Sequence, residues 1–252
     1  LFRSRTSELV ATQLRSWGYE VTTGLGETGV VGQLIKGSGT KRIGIRADMD
    51  ALPIEETTGL AYASCNSGVM HACGHDGHTA MLLAAAKYLA QSGKFNGTLN
   101  LIFQPAEEGL GGAKKMMDDG LFEKFPCDAI FAMHNMPGMT PGQLVFKDGP
   151  FMASSQNITI RLEGIGGHGA MPQFTADPVV AGAAIVMALQ SIVSRNTPPL
   201  EMSVITVGSF QAGQTNNVIP QHAELKLSVR ALSREVHAML KKRIAEDRKS
   251  VV

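Results

Sequence analysis

The chain has 252 residues, 44% of them hydrophobic, and 23 basic against 22 acidic side chains leave a net charge of +1. That is enough apolar material for one large domain or two smaller ones, and it gives no electrostatic reason to expect nucleic acid or an anionic membrane as partner. The longest apolar stretches, Met81 to Ala86 and Val179 to Leu189, fall well short of the ~20 residues a membrane span needs, so a soluble protein is expected. Three cysteines, Cys65, Cys73 and Cys127, make no even disulfide framework and point to a reducing cytoplasm.

In chain order, the spacing of Leu9, Val10, Leu14 and Trp17 predicts an amphipathic helix over 6–17, ended by Gly18. Strands follow at Val30 to Ile35 and from Arg42, the second leading into Asp48 and Asp50. A second helix is predicted over 79–89, immediately after the segment Met70-His71-Ala72-Cys73-Gly74-His75-Asp76-Gly77-His78. The run Leu99 to Phe103 leads into Gln104-Pro105-Ala106-Glu107-Glu108, a short helix is predicted over 111–119, and Ala129 to Ala132 leads into Met133-His134-Asn135. Short apolar runs alternating with helices predict an α/β fold with a mostly parallel sheet. Such sheets bind ligands outside the carboxyl ends of their strands, so three polar clusters at three strand ends would share one crevice.

Near Gly149-Pro150 the pattern changes. Strand, helix, strand, strand and helix are predicted at 158–162, 178–194, 202–207, 223–230 and 234–245, the order of a ferredoxin-like split unit lacking its last strand.

Cys73 and His75, two apart, can point the same way from an extended loop, and a thiol just before a helix N-terminus is biased toward the thiolate that metals bind. A buried cysteine beside a loop histidine is the plain alternative, outweighed here by Glu108 and His134 at neighbouring strand ends. Adjacent carboxylates in a crevice can divide their labour, one binding metal while the other takes a proton from water. Of the two aspartates, either of which could be a turn residue, Asp48 is the better candidate for orienting a ligating histidine. His71 and His78 receive no role. His168, in Gly166-Gly167-His168-Gly169, and Asn217, in Asn217-Val218-Ile219-Pro220, read as loop residues, and Arg230 as a surface charge or a clamp for a substrate carboxylate.

Arg46-Ala47-Asp48-Met49-Asp50-Ala51-Leu52-Pro53, the 70–78 segment, Gln104 to Glu108, Met133-His134-Asn135, Gly166 to Pro172 and Asn217 to Pro220 together resemble the M20 metallopeptidase family. The resemblance is greatest to its amidohydrolase branch of hippurate hydrolases, N-acyl-amino-acid deacylases and auxin-conjugate hydrolases. Broader members carry a His-x-Asp motif where this chain has Arg46-Ala47-Asp48, and Cys73 and His75 take over ligand duties in this branch. The resemblance implies two divalent metal ions, usually manganese or zinc, with nickel or cobalt as other options. Its ligands would be Cys73, His75, Glu108 and His134, with Glu107 as general base. It implies that residues 1–153 are the N-terminal part of the catalytic domain and that 154–246 form an inserted lid and dimerisation domain, incomplete here. There His168 would stabilise the oxyanion, in the partner's site of a homodimer, while Asn217 and Arg230 bind an N-acyl amino acid.

The family's final histidine ligand would lie beyond residue 252, and the tail 247–252 departs from the family pattern in a way that matches read-through of a sequencing adapter. A truncated, inactive piece of a longer protein with a non-native tail is therefore expected. Two rival readings stay open from sequence: a metal-free amidase with Cys73 as nucleophile, and a non-catalytic dimerisation module.

Overall fold

The computed structural model describes residues 2–250, with side chains described for 5–246. The chain divides into two compact units, Leu1–Pro141 and Gly142–Val252.

In the first unit α1 (Phe2–Ser16) precedes β1 (Glu20–Leu25), β2 (Gly29–Lys36) and β3 (Arg42–Asp48). Next come α2 (His75–Gln91), β4 (Gly97–Gln104), α3 (Gly112–Asp118), α4 (Leu121–Lys124) and β5 (Ala129–Ala132). The strands form one sheet in the order β1-β2-β4-β3-β5. It is mixed, not mostly parallel: β1 with β2 and β2 with β4 run antiparallel, while β3 runs parallel to both β4 and β5. The difference comes from β2, which a tight hairpin after β1 turns back so that it runs against the other four strands.

Both faces of the sheet are covered at β2 and β4, where successive strand residues divide between them, while β5 is exposed. Val30, Leu101 and Phe103 pack with Val10, Leu14, Leu82 and Ala86 of α1 and α2. Val31 and Ile102 pack with Met116, Leu121 and Phe125 on the other side. Each such side chain contributes roughly 1.5–3 kcal/mol by leaving water. Leu9, predicted to share the buried stripe of α1, is 52% exposed, and Ala11 takes its place in the core.

β3, β4 and β5 are parallel, so their carboxyl ends lie on one side, and these are the ends from which Asp48, Glu107, Glu108 and His134 follow. α2 begins at His75 and not after the histidines, which places His75 and His78 on its first turn, three apart and on one face.

The second unit contains β6 (Ser154–Glu163), β7 (Gly167–His168), a 3₁₀ turn (Pro172–Phe174), α5 (Pro178–Asn196), β8 (Ser203–Ala212), β9 (Val218–Ile219), β10 (His222–Ala231) and α6 (Arg234–Ser250). β10 lies between β6 and β8, antiparallel to both, as the split strand order predicts. Ile185, Leu189 and Ile192 of α5 meet Leu225, Leu227 and Val229 of β10 and Val236, Leu240 and Ile244 of α6 in its core. α5 is longer than the apolar run Val179 to Leu189, and by length and composition alone it could cross a membrane, but here one face of it is core. Of the tail, 247–250 continue the backbone of α6, and 251–252 lie outside the described residues.

Candidate metal centre

His75 is 1% exposed. Its Nδ1 lies 3.0 Å from the Asp50 carbonyl oxygen, and because a carbonyl only accepts, Nδ1 carries a proton. That leaves Nε2 as the outward nitrogen. It is buried with no hydrogen-bond partner, and the Asp48 Oδ2 beside it at 3.5 Å makes an ion-pair distance without hydrogen-bond geometry.

Cys73 Sγ and one ring nitrogen each of His75 and His134 lie within 4.8 Å of one another, and so do donor atoms of His75, Glu107 and Glu108 and of Asp48, His75 and His78. Cys73 Sγ is 3.6 Å from His134 Nε2. Like His75, His134 gives its Nδ1 to a carbonyl, that of Asn135 at 2.6 Å, so both imidazoles present Nε2 to the same space. The route between Cys73 and His75 is not extended: Gly74 has φ 80° and turns straight into α2. A Cβ there would meet the Asn135 amide at 2.1 Å, which only glycine avoids.

Asp50 and His78, to which sequence reasoning gave no firm role, are built into the site. The Asp50 carboxylate accepts the backbone N–H groups of Glu107 and Glu108, each at 3.0 Å. Ala106, at φ 53°, makes the tight turn that aims those amides. The Glu107 side chain is then exposed and that of Glu108 half-buried. Asp48 sits 2.6 Å from His78 Nδ1 and 2.9 Å from Arg46 Nη1, and Arg46 Nε donates to Gln104 Oε1 at 2.8 Å. Asp48 thus holds His78 more closely than His75. Burial alone would raise the Asp48 carboxyl, but the His78 hydrogen bond and the charges of Arg46, His75 and His78 outweigh it and hold it below the usual carboxylate range. The signal for both missed residues was present: Asp50 follows Asp48 at strand spacing and His78 follows His75 at helix spacing.

The thiol departs from expectation. Burial first, then a hydrogen bond to Glu108 and the charges of Glu108, Glu107 and Asp48, push Cys73 up to about 11. Burial and these carboxylates together raise the thiol despite its place just before a helix N-terminus. His71 joins no donor group among the described residues.

His168, Asn217 and Arg230 belong to the second unit. His168 in β7 pairs with Val218 in β9, and the Gly169 N–H donates to the Asn217 carbonyl at 2.8 Å, so the first two are neighbours. A cavity of 480 Å³ lined by Asp177, Gln214, Thr215 and Asn216 lies beside them. Arg230 is at the other end of β10, eight residues from His222, or ~26 Å at strand rise. It makes no ion pair among the described residues.

Residues 44–241 match the model for peptidase family M20/M25/M40. The chain belongs to this family. It is 54% identical over 239 residues, 95% of its length, to hippurate hydrolase of Campylobacter jejuni subsp. jejuni, and 41% identical over 94% of its length to N-acetyl-L-cysteine deacetylase of Bacillus subtilis. It spans 62% and 57% of those two relatives. The Bacillus subtilis YXEP protein, described as a dinuclear metal-binding peptidase of the M20 family, superimposes with TM-score 0.75 at 34% identity over 98% of this chain and 64% of its own.

The donor set fits such a centre. It combines sulfur, imidazole and carboxylate, and the orphaned His75 Nε2 beside a carboxylate is a gap that a cation closes.

Proposed function

We propose that this chain carries the metal centre of an amidohydrolase that cleaves the amide bond of N-acyl amino acids such as hippurate or N-acetyl amino acids. The observation that carries this reading is the buried, unpartnered His75 Nε2 among Cys73, His134, Glu107 and Glu108. Cys73, His75, Glu108 and His134 hold two divalent ions, manganese or zinc, with nickel or cobalt as substitutes; the thiolate inclines the set toward zinc. When bound, the metals polarise an amide carbonyl and make water more acidic.

Glu107 is read as the proton-transfer residue because its side chain is exposed while that of its neighbour Glu108 is half-buried. It takes the proton of the attacking water and returns it to the leaving amine nitrogen. Asp50 supports this division by gripping both backbone amides and leaving both side chains free. Asp48 contributes by fixing His78.

Residues 1–153 are read as the N-terminal part of the catalytic domain and 154–246 as a lid and dimerisation domain. His168 stabilises the oxyanion, and Asn217 and Arg230 bind the substrate carboxylate. Within one chain Arg230 is far from the His168–Asn217 pair, so a small substrate that meets all three draws them from two protomers of a homodimer. The three free cysteines fit a reducing cytoplasm.

The proximity of Cys73 Sγ to His134 Nε2 keeps one rival, a metal-free cysteine nucleophile, worth testing. Against it stands the thiol, pushed up to about 11 by burial and then by the neighbouring carboxylates. The discriminating experiment is hydrolysis of a panel of N-acyl amino acids by the full-length enzyme: loss of activity with chelators and recovery with added metal supports the metal reading. Activity that survives exhaustive chelation and is abolished by alkylation supports the rival.

A further inference from the structure

His134 follows the exposed strand β5 and is itself exposed, yet its imidazole must hold one orientation to join Cys73 and His75. The Asn135 peptide links it to a buried partner. The Asn135 carbonyl accepts from His134 Nδ1 at 2.6 Å, and its N–H donates to His78 Nε2 at 3.0 Å. An amide N–H can only donate, so His78 Nε2 is an acceptor and the ring's proton is on Nδ1, directed at Asp48 Oδ1 2.6 Å away. The Asn135 side-chain oxygen also lies 3.0 Å from Nε2; half a turn of that amide places its NH₂ there and gives up its long 3.4 Å bond to the Gly74 carbonyl. The His78 and His134 rings meet edge to face, their centroids 4.5 Å apart.

We propose that Asp48, His78 and the Asn135 peptide form a buried strut that fixes the His134 imidazole with Nε2 toward Cys73, so that His78 is a positioning residue of the metal centre and not one of its ligands. His78 has no nitrogen left to give a metal: one is spent on Asp48 and the other on the Asn135 amide. Its effect passes through a peptide, which makes the acceptor at the Nε2 position the atom that matters. The proposal rests on the reading of Cys73, His75 and His134 as metal donors.

Titration of the full metal-free chain with Co²⁺ tests both separately, since the thiolate-to-cobalt charge-transfer band reports Cys73 and the d–d bands report the ligand geometry. His78→Leu, which keeps bulk without an acceptor, is expected to bind Co²⁺ ~10–100-fold more weakly and with altered d–d bands. His78→Gln, whose side-chain oxygen reaches the Nε2 position, is expected to recover most of the affinity; His78→Asn, which reaches only the Nδ1 position, is not. The Gln and Asn pair decides the matter if the Leu variant does not fold, as judged by Trp17 fluorescence. Wild-type affinity and spectrum in His78→Asn overturn the strut alone. No thiolate band in the wild type, or a band that persists in Cys73→Ser, overturns the metal-centre reading and the strut with it.

Discussion

Glu107 and Glu108 are adjacent, and the fold gives them different surroundings: Glu108 is half-buried while Glu107 faces solvent. In the full-length enzyme, Glu107→Gln is expected to keep its metal and lose ~10²–10⁴ in kcat, checked by steady-state kinetics beside metal content. Near-normal turnover would remove Glu107 from the proton-transfer role. Tyr19 gives a separate prediction. Burial raises it from 10.0 to about 12, and its hydroxyl donates to the Ala86 carbonyl at 2.9 Å. A raised folded pKa means that the stabilisation is complete below the unfolded value of ~10 and is lost as pH climbs through 12. Stability should therefore fall by roughly 2–3 kcal/mol across that window. Tyr19→Phe should flatten this alkaline fall in urea melts at successive pH values, and an equally steep fall would assign it to other groups. At this scale the sequence exposed the donors themselves, because Cys, His and Glu in short bursts are visible as types. Asp50 and His78 were hidden because their parts are played through backbone amides, which sequence spacing does not display.

At the scale of elements, α2 links stability to the site, since its first residue is His75 and its last turn is capped by a distant lysine. Lys36 Nζ donates to the carbonyls of Leu89, Ala90 and Gly93 at 2.6, 3.0 and 3.0 Å and lies 5.5 Å from the centre of the Phe95 ring. A cation at a helix C-terminus satisfies carbonyls that the helix leaves free and complements its dipole. Lys36→Met is expected to cost about 1.5–3 kcal/mol, seen as a lower urea midpoint with an unchanged slope; an unchanged midpoint would show the cap to be idle. The elements with strong apolar periodicity, β4, α5 and β10, were legible from sequence. β1 and the start of α2 were not. β1 offers only Val21 and Leu25 to the cores, too few to show a strand period, and α2 begins at a left-handed glycine with no side-chain cap to announce it.

For the whole molecule, the six motifs identified the family that the comparisons show. The mixed character of the first sheet escaped, because strand direction depends on which strands pair. The separation of Arg230 from His168 and Asn217 along β10 leads to a prediction about assembly. If each site takes His168 from a partner, mixing full-length His168→Ala with Glu107→Gln should restore activity, to about a quarter of wild type at equal mixing, since half the dimers are mixed and one site in each is whole. No recovery in proven heterodimers would mean self-contained sites. The central claim is tested most directly by metal stoichiometry. Elemental analysis of the purified full-length enzyme, wild type beside Cys73→Ala, His75→Ala, Glu108→Ala and His134→Ala, should find about two divalent ions in the wild type and a sharp loss in each variant; wild-type stoichiometry in all four would contradict the account.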